Sequence, residues 1–450
     1  MFAYRDLPSV DRVLAHERVK ELSLSYPHDL LVGFVRDQLD AARKGIASGR
    51  PPPSVEVIAS TVSQHVLALD GPSPRRVINA SGVIIHTNLG RAPLSAEAIE
   101  AMKAVAAGNC DLEFDVATGE RGSRNVHIES ILCRLTGAEA ALVVNNNASA
   151  VLLGLTALAK RKEVIVSRGQ AVEIGGGFRV PDVMRQSGAK LVEVGTTNCT
   201  YTADYEQAVT PRTAAFLRVH SSNFRVVGFT HFVTLEEMIA LTKKHSLVVL
   251  DDLGSGCFLD TAPFGLEHEP TVQESIAGGA GLVFFSGDKL VGGPQAGIIV
   301  GKKTLVDKLK KHPLARAVRV DKTRLAGLRA TLVHYLKGEA VAKIPVWQMI
   351  SMPLSDIEKR AKVWAKAAGA EVIDGRTMVG GGSIPGGSLP TKLVALPGGK
   401  KLSESLRSCP VPVIGRVEKD RLLLDPRTVL PDEDRLVIEA LHHVEPIPSS

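Results

Sequence analysis

Short apolar runs separated by polar, helix-length spacers dominate the middle of the chain. The runs occupy residues 141–144, 163–166, 190–194, 214–219, 246–250 and 281–285. Buried strands that alternate with helices in this way predict a mostly parallel β-sheet covered by helices on both faces. Since ligands bind such sheets at the carboxyl ends of the strands, we expect the chemistry at the residues that follow these runs.

A helical pattern precedes the predicted sheet. Ser9 is a candidate N-cap before an apolar-periodic run, and apolar positions recur at helical spacing in residues 29–43 and 55–69. Basic residues are spread along these segments. They suit either a solvated helix face or a surface that contacts RNA.

The chain changes character again after residue 335. Glycine is concentrated in residues 380–390, residues 411–425 suggest a β-hairpin, and residues 432–445 suggest a closing helix. We therefore predict three domains: a helical amino-terminal domain over residues 1–70, an α/β large domain over 71–335 and a smaller α+β domain over 336–450.

Composition narrows the class of protein. The 450 residues carry a net charge of +6, which favours a polyanionic partner but is also common in proteins without one. Aromatic residues make up only 4% of the chain, so we expect any nucleic acid to be bound through its shape and phosphates rather than by base stacking. Without a bilayer-length apolar run or the order of a signal peptide, the chain is expected to be soluble and cytoplasmic, with no membrane partner. The five cysteines show no CxxC spacing, so no metal site is predicted.

Lys289 is the first candidate for chemistry. It follows the apolar run 281–285 and precedes a glycine-rich turn, Gly292-Gly-Pro-Gln-Ala-Gly297. A lysine that closes a buried strand either points into water or has a depressed pKa that serves a purpose. A Schiff base with the aldehyde of pyridoxal phosphate is such a purpose.

The helix start after the run 141–144 could hold the phosphate of that cofactor. Asn147, Ala148 and Ser149 open this helix, and their backbone amides, together with the serine hydroxyl, suit an anion. Plain capping of the helix by Asn147 or Ser149 is the alternative interpretation.

Two aspartates follow the run 246–250. Asp251 and Asp252 are adjacent, so their side chains point to opposite faces of the strand and only one can pair with a pyridine nitrogen. Asp252, close to Gly254, is our choice and Asp251 the second. Either carboxylate could instead cap the next turn.

The order of these motifs resembles the aspartate-aminotransferase-like, or fold-type I, pyridoxal phosphate enzymes. Asn223 ends another strand, where such enzymes often place an asparagine that contacts the cofactor. More specific motifs resemble the bacterial selenocysteine synthases, also called L-seryl-tRNA(Sec) selenium transferases. Gln170 departs from the acidic residue expected there. The motifs lie at residues 79–91, 167–170, 173–182, 193–198, 252–256 and 285–297, and the likeness extends to residues 7–12 and 410–416.

This resemblance implies a cofactor and a reaction. Lys289 would hold pyridoxal phosphate and remove the α-proton of the seryl group of L-seryl-tRNA(Sec). Asp288 would assist in proton handling, with turn capping as its alternative role. Loss of hydroxide would leave a cofactor-bound dehydroalanyl-tRNA, to which selenophosphate would supply selenium, giving L-selenocysteinyl-tRNA(Sec).

The resemblance also implies how selenophosphate and other copies of the chain are bound. Arginines matching Arg91, Arg316 and Arg319 bind selenophosphate in this family, and guanidinium groups suit such an anion. Arg316 and Arg319, three residues apart, would share one face of a helix, and without the family they would be a solvated basic face. The family also implies a homo-oligomer, a ring of dimers with active sites at subunit interfaces.

Two other classes of function remain open at this point. One is a pyridoxal phosphate lyase or aldolase that acts on a free small amino acid or amino sugar acid, whose carboxylate Arg416 could bind. The other is a non-catalytic RNA-binding or scaffold protein that has kept the fold. The helical extension before residue 71 favours the tRNA substrate, and the presence of Lys289 favours an enzyme.

Overall fold

The computed structural model describes residues 4–71, 73–174, 177–222 and 224–443. The chain divides into two compact units, Met1–Arg76 and Val77–Ser450. The predicted boundary between a large and a small domain at residue 335 stays a prediction. No helix in the described ranges combines the length and the apolar character that crossing a bilayer requires.

The amino-terminal unit is helical, as its apolar periodicity predicts. Ser9 caps the first helix, because its Oγ accepts a hydrogen bond from the Arg12 amide at 3.2 Å. Val13, Val35 and Val62 are buried in the core that the helices share. The helices are α1 (Val10–Leu14), α2 (Glu17–Leu22), α3 (His28–Ala47) and α4 (Val55–Asp70).

The second unit contains strands that form two main sheets. The strands are β1 (Ile78–Asn79), β2 (Val83–Ile85), β3 (Ala140–Val144), β4 (Glu163–Ser167), β5 (Glu173–Ile174), β6 (Phe178–Arg179), β7 (Lys190–Val194), β8 (Thr213–Val219), β9 (Val248–Gly254), β10 (Leu282–Ser286), β11 (Gly297–Gly301), β12 (Glu371–Gly380), β13 (Ser388–Pro397), β14 (Val413–Ile414), β15 (Arg416–Glu418) and β16 (Arg421–Leu424).

Helices separate these strands along most of the unit. They are α5 (Ala96–Ala106), α6 (Glu129–Thr136), α7 (Asn147–Ala159), α8 (Val180–Ser187), α9 (Thr202–Ala208), α10 (Leu235–His245), α11 (Val272–Ala277), α12 (Lys303–Lys311), α13 (Pro313–Ala317), α14 (Lys322–Leu336), α15 (Ala340–Lys343), α16 (Pro345–Ser351), α17 (Leu354–Ala368), α18 (Gly399–Arg407) and α19 (Asp434–His443).

The large sheet is mostly parallel, as predicted. Its strand order is β3-β11-β10-β9-β8-β4-β7, and only β11 runs against its neighbours, β10 and β3. The six apolar runs recognised in the sequence are the six remaining strands. Strand β11, whose Gly-Ile-Ile-Val-Gly pattern follows the glycine-rich turn directly, is not among the predicted strands. An antiparallel strand needs no crossover helix, so the expected spacer is absent here.

Helices cover both faces of this sheet and bury its strands. Strands β3, β4 and β10 each have five residues, and all of them are buried, which explains the near-continuous apolar sequences of these strands. Helix α7 packs closely on β10, because Gly154 leaves room for the ring of Phe284; a Cβ at residue 154 would lie 2.6 Å from that ring. The amino end of α7 is thereby fixed at the carboxyl edge of the sheet.

The second main sheet joins the two ends of this unit. Its order is β15-β16-β13-β12-β2, so β2 from near the start of the unit pairs with β12 from near its end. Strand β1 likewise pairs with β14 in a small separate sheet. The hairpin of β15 and β16 confirms the one predicted from the sequence. The loop between β12 and β13 carries the glycine-rich residues 381–387.

Candidate active site

Lys289 lies in a buried turn between β10 and β11. Lys289 is only 5% exposed, and its Nζ donates a hydrogen bond to the carbonyl oxygen of Gly382 at 3.4 Å. Burial, and next the nearby Arg91 guanidinium, lower the pKa of Lys289; Asp252, Asp288 and Glu269 act in the opposite direction. A lysine pointing into water is therefore excluded.

Aromatic side chains from α14 and α16 hold this turn in place. The hydroxyl of Tyr335 lies 3.0 Å from the carbonyl oxygens of both Leu290 and Val291. The indole Nε1 of Trp347 donates to the same Leu290 oxygen at 3.0 Å. Because these donors are on packed helices, the lysine backbone is fixed before any ligand binds.

The two aspartates of β9 face opposite sides of the strand, as predicted. Asp251 forms an ion pair with Arg218 at 3.0 Å. Asp252 accepts a hydrogen bond from the Asn147 amide at 2.8 Å. Burial raises the pKa of Asp252 to about 6, although the Asn147 hydrogen bond and the charge of Lys289 oppose that shift. Of the two, Asp252 is thus the carboxylate that lies with the lysine and with α7.

The start of α7 differs from the capping interpretation. Asn146, rather than Asn147 or Ser149, is the N-cap, and its side chain accepts the Ser149 amide at 2.9 Å. The capping prediction was therefore wrong in its residue. Three consecutive asparagines are equally good caps by type, so only the path of the chain decides among them. Asn147, Ala148 and Ser149 form the first turn of α7, whose amides suit an anion.

Arg91 and Asp288 form an ion pair beside the lysine. Nη1 of Arg91 lies 2.9 Å and 3.1 Å from the two carboxylate oxygens of Asp288, which is buried. The Ala92 amide also donates to the Asp288 carbonyl oxygen. Arg91 has a left-handed backbone with φ of 65°, which turns the chain after the short helical turn Thr87–Leu89. Arg91 therefore lies beside Lys289, and its role in binding selenophosphate stays a prediction.

Arg316 and Arg319 do not share a helical face. Helix α13 ends at Ala317, and Arg319 lies beyond it in a β-bridge with Val144. The prediction of a common face was wrong, because Pro313 starts a helix too short to include both arginines. Arg316 and Arg319 are both exposed, and Nη1 of Arg319 lies 3.7 Å from Oε1 of Glu113. The bridge nevertheless places Arg319 at the end of β3, close to the start of α7.

Two other predicted positions have different outcomes. Asn223 lies outside the described residues. Gln170, where an acidic residue was expected, is buried, and its Oε1 accepts the Val219 amide at 3.1 Å. An amide oxygen accepts this hydrogen bond as a carboxylate would, so glutamine is compatible with the local backbone.

Three residues around the lysine, Gly382, Ser222 and Glu269, were not predicted as part of the site from the sequence. Gly382 has a left-handed φ of 69°, and a Cβ there would lie 3.2 Å from Lys289 Nζ and 3.5 Å from Ser222 Oγ. Glu269 is buried, with Oε1 at 3.3 Å from His220 Nε2. A run of three glycines ending at residue 382 was the available signal, and it was interpreted as a flexible stretch.

Comparisons with known proteins give this arrangement a family. The profile described as "L-seryl-tRNA selenium transferase" matches residues 77–430, and that described as "Selenocysteine synthase N terminal" matches residues 4–43. The chain belongs to the L-seryl-tRNA selenium transferase family. An L-seryl-tRNA(Sec) selenium transferase of Geobacter sulfurreducens is 48% identical to it, with 99% of this chain and 100% of the relative aligned. One of Carboxydothermus hydrogenoformans is 45% identical, with 95% of each aligned.

A solved structure supports the fold class of this L-seryl-tRNA selenium transferase family member. A D-glucosaminate-6-phosphate ammonia-lyase superposes with a TM-score of 0.59 at 19% identity, covering 84% of this chain and 97% of that one. At this identity the likeness concerns the fold alone. With the mostly parallel sheet, it confirms the predicted α/β, aspartate-aminotransferase-like class.

The residues around Lys289 fit pyridoxal phosphate, the cofactor expected in this family. A buried amine with a lowered pKa suits imine formation. Gly254 and Gly382 leave space beside that amine, since a Cβ on either would lie within 3.5 Å of Nζ. Asn147 Oδ1 is buried without a hydrogen-bond partner among the described residues. A bound polar group would satisfy it.

Proposed function

We propose that this protein converts L-seryl-tRNA(Sec) to L-selenocysteinyl-tRNA(Sec), with selenophosphate as the selenium donor. The observation that carries the proposal is the buried Lys289, surrounded by Asp252, Asp288 and Arg91 in a chain of this family. The two relatives described above carry the name L-seryl-tRNA(Sec) selenium transferase, and this chain aligns with 100% and 95% of their lengths. Such an enzyme would act in the cytoplasm, where charged tRNAs are used.

Four parts of the site would hold pyridoxal phosphate. Lys289 would form the covalent attachment, and Asp252 would pair with the ring nitrogen. The first turn of α7, Asn147 to Ser149, would bind the phosphate through backbone amides and the serine hydroxyl. Asn223 would contact the ring oxygen. When bound, the cofactor withdraws electrons from the seryl α-carbon, so that the α-proton becomes acidic and the hydroxyl on the β-carbon can leave.

The side chains of the chain itself would move the protons. The lowered pKa of Lys289 favours the neutral amine, which is the form that accepts the seryl α-proton. Asp288 lies next to it in the chain, and its pair with Arg91 holds the carboxylate within this buried turn. From there Asp288 would orient the Lys289 ammonium, which would pass the proton it has taken up to the departing hydroxide to form water.

Three arginines would bind selenophosphate. Arg91 lies beside the lysine, and a guanidinium forms strong paired hydrogen bonds with phosphate-like oxygens. Arg316 and Arg319 are exposed, and Arg319 lies at the end of β3. Their exposure agrees with a homo-oligomeric ring of dimers in which active sites lie at subunit interfaces.

The amino-terminal unit would bind the tRNA. Its basic side chains are exposed and therefore accessible to phosphates. They are Arg12, Arg18, Lys20, Arg36, Arg43, Lys44 and Arg50. The alternative substrate, a free amino acid, loses its supporting residue. Arg416 donates to the Ser81 carbonyl oxygen at 3.0 Å and to Glu418 at 2.7 Å, which are structural contacts.

The decisive experiment supplies the purified protein, loaded with pyridoxal phosphate, with seryl-tRNA(Sec) and selenophosphate. Selenocysteinyl-tRNA is the expected product, detected by mass spectrometry of the released amino acid. Seryl-tRNA(Ser) and free serine serve as substrate controls, and Lys289→Ala as the protein control. Turnover of free serine without turnover of the charged tRNA would overturn the proposal.

A further inference from the structure

A cavity of about 640 Å³ lies at the carboxyl end of β8. Its wall includes Gln170, His220, Phe224, Arg225, Phe232 and Pro385. The volume lies within the range of about 300–1,000 Å³ that small-molecule sites occupy. The chemistry proposed above assigns no role to these six side chains.

Three segments of the wall adjoin residues that surround Lys289. Ser221 lines the cavity and precedes Ser222. A Cβ on Gly382 would lie 3.5 Å from Ser222 Oγ and 3.2 Å from Lys289 Nζ, so these two side chains are near each other. Pro385 follows Gly382 by three residues, which an extended chain spans in about 10 Å. His268 and Pro270 of the wall flank Glu269, whose charge acts on Lys289. The cavity is therefore within reach of a ligand attached at the lysine.

The wall combines flat apolar side chains with two arginines, Arg218 and Arg225, and two glutamates, Glu236 and Glu274. Three of the chain's 12 phenylalanines, at positions 224, 229 and 232, fall within nine residues of sequence. Phe224 and Phe232 line the cavity, while Phe229 does not and is 84% exposed. Arg225 lies at the same wall and pairs with Glu267. Arg218 pairs with the buried Asp251, whereas the partner of Arg225, Glu267, is exposed.

This combination suits a nucleoside better than a small anion. Aromatic faces stack on bases, and an arginine can contact the adjoining phosphate. A tetrahedral anion would gain little from two phenylalanines and a proline in a cavity of this size. The low overall aromatic content of the chain argues against an extended stacking platform, but one local pocket needs only these side chains.

We propose that this cavity binds the terminal adenosine of the charged tRNA; the proposal rests on the function proposed above. The amino acid of an aminoacyl-tRNA is an ester on the ribose of that adenosine. Whenever the seryl group reaches Lys289, the base must occupy space a few bonds away. Phe232 and Phe224 provide the stacking surface, and Arg225 contacts the phosphate that precedes the adenosine.

The test uses the full-length, cofactor-loaded protein with Phe232→Ala and Arg225→Gln. Phe229→Ala, in the same loop but outside the wall, is the matched control for the first variant. Arg212→Gln, at the other end of β8, is the control for the second. Each protein is assayed for KM and kcat with seryl-tRNA(Sec), and for binding of the trinucleotides CpCpA and CpCpU by calorimetry.

Loss of a stacked base weakens binding by about 5- to 140-fold. We therefore expect KM to rise by that factor in Phe232→Ala, more than kcat falls, and CpCpA binding to weaken in parallel. CpCpU should bind the wild type less tightly than CpCpA. In Arg225→Gln, the two trinucleotides should weaken equally.

Two results would overturn the assignment. One is a wild type that binds CpCpA no better than CpCpU, with Phe232→Ala behaving like Phe229→Ala. The other is an unchanged KM with a changed sedimentation coefficient, which would make this surface a contact between copies of the chain. Failure of the proposed function is distinguishable, because trinucleotide binding reports on the cavity even if no selenocysteinyl-tRNA forms. Normal product with variants that match their controls refutes the cavity alone.

Discussion

The hydrogen bond from Asn147 to Asp252 sets the pH range in which the site can hold its cofactor. The carboxylate must be ionised to pair with a protonated ring nitrogen, and its pKa in the free protein is about 6. A hydrogen bond to a charged group contributes about 1.5–3 kcal/mol, and 1.36 kcal/mol corresponds to one pKa unit. Asn147→Ala should therefore raise the pKa of Asp252 by about one to two units.

The sign of the effect on cofactor binding follows from this shift. Protonation of Asp252 removes the ion pair, so affinity falls as pH drops through its pKa. In the wild type this fall is expected near pH 6, and in Asn147→Ala near pH 7 to 8, about one to two units higher.

The assay is a titration of the apoprotein with pyridoxal phosphate over this pH range, followed by cofactor absorbance. Ionisation of the cofactor itself cancels when the two proteins are compared. Asn145→Ala is the matched control. The backbone amide of Asn145 donates to the Val318 carbonyl oxygen, and the substitution keeps this hydrogen bond. Coincident midpoints in wild type and Asn147→Ala would refute the reasoning, whatever happens to absolute affinity.

Further predictions concern stability, the glycine loop, the lysine turn and the amino-terminal unit. The ordinary pKa of Asp252 is 3.8 and its folded value about 6, so its ionisation in the fold destabilises the apoprotein by up to about 3 kcal/mol above pH 6. Asp252→Asn should thus raise the free energy of unfolding at pH 8 and not at pH 3, by denaturant titration; equal effects at both pH values would contradict this. Gly382→Ala combines a left-handed backbone, which costs about 1–2 kcal/mol, with a Cβ 3.2 Å from Lys289 Nζ. It should weaken cofactor affinity at least about tenfold, and an unchanged absorbance titration would show that the loop moves away. Tyr335→Phe leaves two buried carbonyl oxygens without this donor, so unfolding should become easier by about 1–3 kcal/mol, with little change expected from the exposed Tyr201→Phe. Deletion of residues 1–76 should weaken tRNA binding in a gel-shift assay and leave the cofactor absorbance band; loss of the band would assign a structural role to this unit.

Local patterns in the sequence predicted the parts of the site that depend on one strand each. Alternation along β9 predicted that Asp251 and Asp252 face opposite sides, and the position of Lys289 after a buried strand made it a candidate. The strands themselves were predictable because both faces of the sheet are covered, which leaves continuous apolar runs.

Contacts between distant segments could not be predicted in this way. The approach of Gly382 to Lys289 joins residues 93 positions apart, and nothing in either segment specifies the other. Asn146 became the cap of α7 because the path from β3 into the helix places its side chain there, a choice that residue type alone leaves open. Arg319 lies outside α13 for a similar reason, since its backbone pairs with Val144.

The pairing of β2 with β12 and of β1 with β14 has a consequence for how the enzyme is made. Ile78 pairs with Val413 and Val83 with Met378, so strands near the start of this unit wait for partners synthesised about 300 residues later. During translation, the large sheet can form while Gly382 and its loop are still absent. The wall over Lys289 therefore closes only near the end of synthesis. Until then the Lys289 amine lacks the carbonyl oxygen of Gly382, which accepts its hydrogen bond in the finished protein.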